Sequence, residues 1–196
     1  MLHSDLKILA LDQGGIPQRW ITTEDSIAYH ARDQVAWQLG DDEITFRGGI
    51  NRLSGKQSVI TTAPIVAIRG VTRGAAILSK PPMLSNRELF RRDHRMCCYC
   101  GNIFKCEDLT RDHVIPRSRG GRDAWTNVVT SCQSCNQKKD DHLLQECGME
   151  MLYIPYAPNH AEALILENRN VLYSQMDYLK AYIPQESRVL QLMDIQ

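Results

Sequence analysis

The sequence predicts an α+β protein: a small α+β lobe, a cysteine-stapled core, and a C-terminal helix. Three observations predict it. Within residues 6–70, short apolar or β-branched runs alternate with turn residues and one helical stretch. Between Cys97 and Lys139, two Cys-x-x-Cys knuckles bracket the β-branched pairs Val114-Ile115 and Val128-Val129, which flank a Gly-rich loop. From Ala161 to Tyr182 the chain lacks Pro and Gly, and its apolar residues recur at near-helical spacing.

In chain order, Ile8-Leu9-Ala10-Leu11 reads as a short buried strand, broken by Gly14-Gly15-Ile16-Pro17. Thr23 can cap a helix whose first turn carries Glu24 and Asp25. Strands are expected at Val35–Leu39, at Ile44–Arg47 (ended by Gly48-Gly49), at Ser58–Thr62 and at Ile65–Arg69. This lobe holds no nucleotide-binding loop and no clustered catalytic set; Arg69 and Arg73 read as surface residues. Ser79-Lys80-Pro81-Pro82 is the clearest linker. Beyond it, Ser85 can cap a helix through Arg91 that delivers the chain to the first knuckle, and Leu143–Cys147 reads as a short helix stopped by Gly148. The expected organisation is therefore an N-terminal lobe (1–80), a core (85–150) and a C-terminal extension (151–196) with one long amphipathic helix.

The net charge is zero, but it is unevenly spread. Residues 81–140 carry eleven bases against seven acids, whereas residues 141–196 carry three bases against eight. A polyanion would sit on the basic middle, and the acidic helix would pack on the protein. No apolar run approaches the ~18 residues of a membrane span. With no signal peptide visible, the expectation is a cytoplasmic protein without a membrane partner.

Seven cysteines in such a chain argue for metal rather than disulfides. Cys97, Cys100, Cys132 and Cys135 supply two pairs of thiolates on tight turns, the ligand set of a closed structural zinc site. Cys98, Cys106 and Cys147 are left over and read as small apolar filler. A closed site has no open position for chemistry, so its role is to pin the ends of the 31-residue insert.

That insert carries Leu109-Thr110-Arg111-Asp112-His113-Val114-Ile115-Pro116-Arg117-Ser118-Arg119-Gly120-Gly121, then Trp125-Thr126-Asn127-Val128-Val129. With Arg92-Asp93 before the first knuckle and Asn136 and Lys139 after the second, it resembles the HNH endonucleases, also called ββα-metal nucleases, in their zinc-knuckle subfamily. The resemblance covers about 50 residues. It implies a hairpin of Leu109–Ile115 and Asn127–Thr130 crossed by a helix from the second knuckle. It further implies His113 as general base, Asn127 holding the loop that orients it, and a catalytic divalent ion on Asp112 and Asn136. Asparagine in the last position, where the family name has histidine, favours Mg²⁺ or Mn²⁺ there.

Hydrolysis of a phosphodiester needs a base for water and positive charge at the phosphate. A neutral imidazole suits the first, and a hard cation the second. Strand alternation would send Asp112 and His113 to opposite faces, so a local distortion is expected at the strand end. Arg117, Arg119 and Lys139 are the expected phosphate contacts. The expected partner is DNA, with no small-molecule cofactor; double-strand cutting would take a homodimer or two visits. The alternatives are a zinc-knuckle module that binds nucleic acid without cutting, and an RNA-directed nuclease.

Overall fold

The computed structural model describes residues 6–70, 74–168, 170–185 and 187–193; Arg73 lies outside them. The chain divides into two compact units, Met1–Lys80 with His160–Gln196, and Pro81–Asn159. Among the described residues no helix is long and apolar enough to cross a membrane.

The first unit is built on a four-stranded sheet. Strands β1 (Ile8–Asp12), β2 (Pro17–Ile21), β3 (Val35–Leu39) and β6 (Ile65–Ile68) lie in the order β2-β1-β6-β3, with β1 and β6 parallel. Pro17, expected as a breaker, instead begins β2. Proline is tolerated there because β2 is an edge strand and Pro17 is its first residue. Helix α1 (Thr23–Ala31) is capped by Thr22, one residue before the expected Thr23, in a capping box with Asp25.

Every residue of β1 and β6 is buried. Alternation sends Leu9, Leu11, Ile65 and Ala67 into one cluster and Ile8, Ala10, Val66 and Ile68 into another. The first cluster is closed by Leu164, Ile165 and Leu179 of the C-terminal segment, which thus completes the N-terminal sheet. That segment is not one long helix. It forms α5 (His160–Glu167) and α6 (Tyr173–Lys180), because the Asn168 side chain accepts the Asn170 N–H at 3.1 Å and offers the backbone a turn instead. Strands β4 (Ile44–Ile50) and β5 (Gln57–Thr62) form a separate hairpin. Gly48-Gly49 does not end β4; the register shifts between Arg47 and Ile50 and the strand continues past it.

The second unit is a hairpin between helices. Strands β7 (Leu109–His113) and β8 (Val128–Cys132) pair antiparallel, Leu109 opposite Cys132 and His113 opposite Val128. Helix α2 (Asn86–Arg92), capped by the Ser85 hydroxyl, packs Leu89 and Phe90 against Leu109, Trp125 and Val128. Helix α3 (Gln133–Lys139) also packs on both strands, and α4 (Leu144–Cys147) ends at Gly148 in the left-handed conformation.

Arg92 ties this unit together from the inside. Its buried guanidinium forks onto Asp93 at 2.8 and 2.9 Å and donates to the carbonyls of Trp125, Val128 and Tyr156. Asp93 in turn accepts the Thr130 N–H. A buried charge is tolerated only when paired and hydrogen-bonded in this way.

Candidate active site and metal centre

The first knuckle is a tight turn in which Gly101, at φ +74°, returns its N–H to the Cys97 carbonyl. The second straddles an element boundary. Cys132 ends β8, and its sulfur caps α3 by accepting the Cys135 N–H. The four sulfurs of Cys97, Cys100, Cys132 and Cys135 lie within 4.8 Å of one another. A tetrahedral Zn–S site with bonds of ~2.3 Å sets sulfurs roughly 3.8 Å apart, so the cluster fits a closed four-thiolate ion. Burial pushes the Cys132 thiol up, but hydrogen bonds from Ser134, from the Cys135 N–H and from neighbouring thiols outweigh it and bring it down to about 7. Of the spare cysteines, Cys98 is buried and its thiol is raised to about 11 by desolvation, as a filler should be. Cys106 is exposed, which corrects its reading as apolar filler.

Strand β7 keeps its register through His113. The expected distortion is not found, because cross-strand hydrogen bonding persists to the last pair. Asp112 and His113 therefore face opposite sides of the hairpin.

On the α2 side, His113 Nε2 lies 2.9 Å from Asp123 Oδ1. Arg111, on the same strand face, donates to both Asp123 oxygens at 2.8 Å and to Asn86 at 2.9 Å. The Arg111 hydrogen bond, reinforced by His113, holds the Asp123 carboxyl below its ordinary range. Asp123 thus presents a fixed carboxylate that accepts Nε2–H and leaves Nδ1 as the proton acceptor. Sequence reasoning missed Asp123; the available signal was a carboxylate in the loop directly after Gly120-Gly121.

The loop itself is clamped by Asn127. Its Oδ1 accepts the Ile115 N–H at 2.9 Å, and its Nδ2 donates to the carbonyls of Ile115 and Arg122. Gly121 lets the chain close this tightly, since a Cβ there would lie 1.7 Å from the Ile115 carbonyl oxygen.

On the α3 side, Asp112 is buried. Lys139 Nζ approaches its Oδ1 at 3.0 Å, and the Tyr99 hydroxyl donates to its Oδ2. Burial, then the bond to Asp112, pushes the Tyr99 phenol far up, so it remains a donor. Asn136 lies about one turn back along the helix, its Nδ2 donating to Thr110 Oγ1 at 3.0 Å. The helix residue opposite Asp112 is thus Lys139, with Asn136 opposite Thr110. As donors, a carboxylate and an amide oxygen fit a hard divalent ion. The counter-charge already beside Asp112 is the Lys139 ammonium.

The same contact corrects Lys139 as a phosphate contact. It is fully buried, with Nζ also on the His113 carbonyl at 2.8 Å, because helix α3 turns this side chain into the hairpin. Arg117 and Arg119 lie on an exposed turn after Pro116. Arg119 pairs with Glu146 at 2.7 Å, and no ion pair is found for Arg117 among the described residues.

A ββα hairpin, a four-thiolate staple and an imidazole held by a carboxylate meet in one segment, and residues 97–152 match the family model described as HNH endonuclease. Residues 97–152 form an HNH endonuclease domain. No curated protein matches the chain. Among solved structures, the chain is similar to the Type II-C Cas9 enzyme from Actinomyces naeslundii, with 21% identity and a TM-score of 0.29. That match covers 53% of this chain and 11% of the Cas9 chain. The matched segment contains the knuckles, Asp112, His113, Asn127 and Asn136; the first unit lies outside the family match.

Proposed function

We propose that the HNH domain hydrolyses phosphodiester bonds in DNA, with His113 as the general base. The observation that carries this reading is the His113–Asp123 contact of 2.9 Å within a domain of the HNH family. Asp123 fixes the imidazole, Arg111 fixes Asp123, and Asn127 holds the loop between them. Nδ1 then takes the proton from water as its oxygen bonds phosphorus, the bond from phosphorus to the leaving sugar oxygen breaks, and that oxygen takes a proton from solvent. Such base assistance is worth about 10²–10⁴ in rate. Arg117, with Arg119 beside it, supplies exposed positive charge for the phosphate backbone.

The four-thiolate cluster takes zinc in a structural role. Asp112 and Asn136 are the residues that would hold Mg²⁺ or Mn²⁺; they lie on the opposite side of the hairpin from His113, with the Asp112 oxygens engaged by Lys139 and Tyr99, so the charge at the attacked phosphorus is not assigned to that ion. Entry of an ion at Asp112 Oδ1 is in competition with Lys139.

Supercoiled plasmid tests the reading. Wild-type protein should nick or linearise it when Mg²⁺ or Mn²⁺ is added. His113→Ala should be slower by about 10²-fold or more, with its zinc content unchanged. Equal cutting by the two proteins, or no cutting of DNA by a zinc-loaded wild type, would remove this function. Cleavage of RNA alone would shift the substrate class.

A further inference from the structure

Among the described residues the hairpin β4–β5 pairs with no other strand, and it joins a core at its root. Ile44 and Thr62 are buried there, Phe46 packs on the neighbouring cluster, and Thr62 bonds Ser26 at 2.7 Å. Beyond that root, every residue from Arg47 to Val59 is exposed. The projecting part is nonetheless held by its own hydrogen bonds. Asn51 accepts the N–H groups of Leu53 and Ser54 on its side chain and that of Gly55 on its carbonyl. Gln57 staples the Gly48 carbonyl at 3.0 Å, across the irregularity in β4.

This finger has a one-signed composition. Between Ile44 and Thr62 there are three bases, Arg47, Arg52 and Lys56, and no acid. None of the three is in an ion pair among the described residues, and all three are exposed. At its far end Leu53 is 99% exposed and Ile50 69%. A fold stabilises such a finger only through its own ladder, and a bare hairpin is marginal in water. Its strand part beyond the root, Arg47 to Ile50, is roughly 10 Å at ~3.3 Å per residue, with the turn at 51–56 beyond it. A two-stranded ribbon of this kind fits the DNA major groove, which is about 12 Å wide.

We propose that the β4–β5 finger is a duplex-DNA contact. Arg47, Arg52 and Lys56 neutralise backbone phosphates, and Leu53 makes an apolar contact within the groove. The three bases beyond the root suit a polyanion, although exposed Asp41, Asp42 and Glu43 adjoin the root, and the width of the ribbon suits the groove of a duplex. The inference rests on the nuclease reading for its choice of DNA, and it gives the first unit a role in holding substrate.

The test uses the whole chain as zinc-loaded His113→Ala protein, so that the probe survives, and a fluorescent 30-base-pair duplex titrated between 50 and 200 mM NaCl. Adding Arg47→Ala, Arg52→Ala and Lys56→Ala together should flatten the slope of log K against log [salt] by about 2–3, at ~0.9 for each phosphate no longer neutralised. Affinity at 0.1 M salt should fall on the order of 10²-fold. Leu53→Ala should weaken binding several-fold without changing the slope. Circular dichroism and zinc content should match the parent, because these side chains lie outside every core cluster. Unchanged slope and affinity in the triple variant would overturn the proposal and leave the finger as a protein-docking element. If those variants bind normally while wild type cuts DNA, only the finger reading fails. If zinc-loaded wild type neither binds nor cuts DNA, the nuclease reading fails with it.

Discussion

The ammonium of Lys139 lies inside the HNH domain, 3.0 Å from Asp112 Oδ1 and 2.8 Å from the His113 carbonyl. A lone buried cation would be too costly to keep, and so would a lone buried carboxylate. Each makes the other tolerable, and removing one partner strands the other. Lys139→Met keeps most of the volume and removes the charge. It should destabilise the domain by about 3–5 kcal/mol, read from the urea midpoint. Saturating Mn²⁺ should then raise the variant's midpoint by more than it raises the wild type's, because the ion supplies the missing charge at Asp112. Equal Mn²⁺ effects on both proteins would mean that Lys139 and the ion do not share Asp112. A sequence shows that Lys139 is basic and near a knuckle. Which way it points depends on the helical phase set by Cys132 and Cys135, and that phase turns Lys139 inward while Lys138 is exposed.

At the scale of elements, what the residues state locally was legible. The two knuckles, the β-branched pair of β8, the Ser85 cap and the Gly148 stop all depend on neighbours within a few positions, and each was found where expected. What failed depended on context. Pro17 could begin a strand only because β2 is at the sheet edge, and Asn168 could end a helix only by offering a competing side-chain bond. Asp123 was missed because its partners Arg111 and His113 are twelve and ten residues away, and only its place in the loop after the glycines hinted at it. The hairpin and α3 meet at Cys132, which is at once the end of β8, the cap of α3 and a member of the thiolate cluster. Stripping the metal should therefore cost the strand and helix together. Structural zinc sites carry an apparent ~10–16 kcal/mol. A strong chelator should release one zinc per chain and open Pro81–Asn159 to limited proteolysis, while cuts in the first unit stay rare. Protease resistance of 81–159 after complete zinc loss would show that packing alone holds the fold.

The whole molecule is a unit inserted within a unit. The first runs to Lys80 and resumes at His160, and the HNH-bearing unit occupies the interval. The resumed segment supplies essential cover. Leu9, Leu11 and Ile65 are fully buried in a cluster closed by Leu164, Ile165 and Leu179. Exposing three large aliphatic side chains costs on the order of 5–9 kcal/mol, comparable to the stability of a whole domain. A chain ending at Asn159 should lose the first unit's cooperative thermal transition yet still bind one zinc. Retention of that transition would show that the sheet holds without α5 and α6.

The same nesting orders events at the ribosome. Arg92 cannot fill its last acceptor until Tyr156 has been made, so the inserted unit is finished close to Asn159. Strands β1 and β6, both translated before the insert, must then wait for a segment translated after it. At ~5–20 residues per second, the roughly 80 residues of the second unit take about 4–16 s. The nascent chain therefore emerges with a complete nuclease fold in its middle while its oldest apolar sheet face is still open to chaperones.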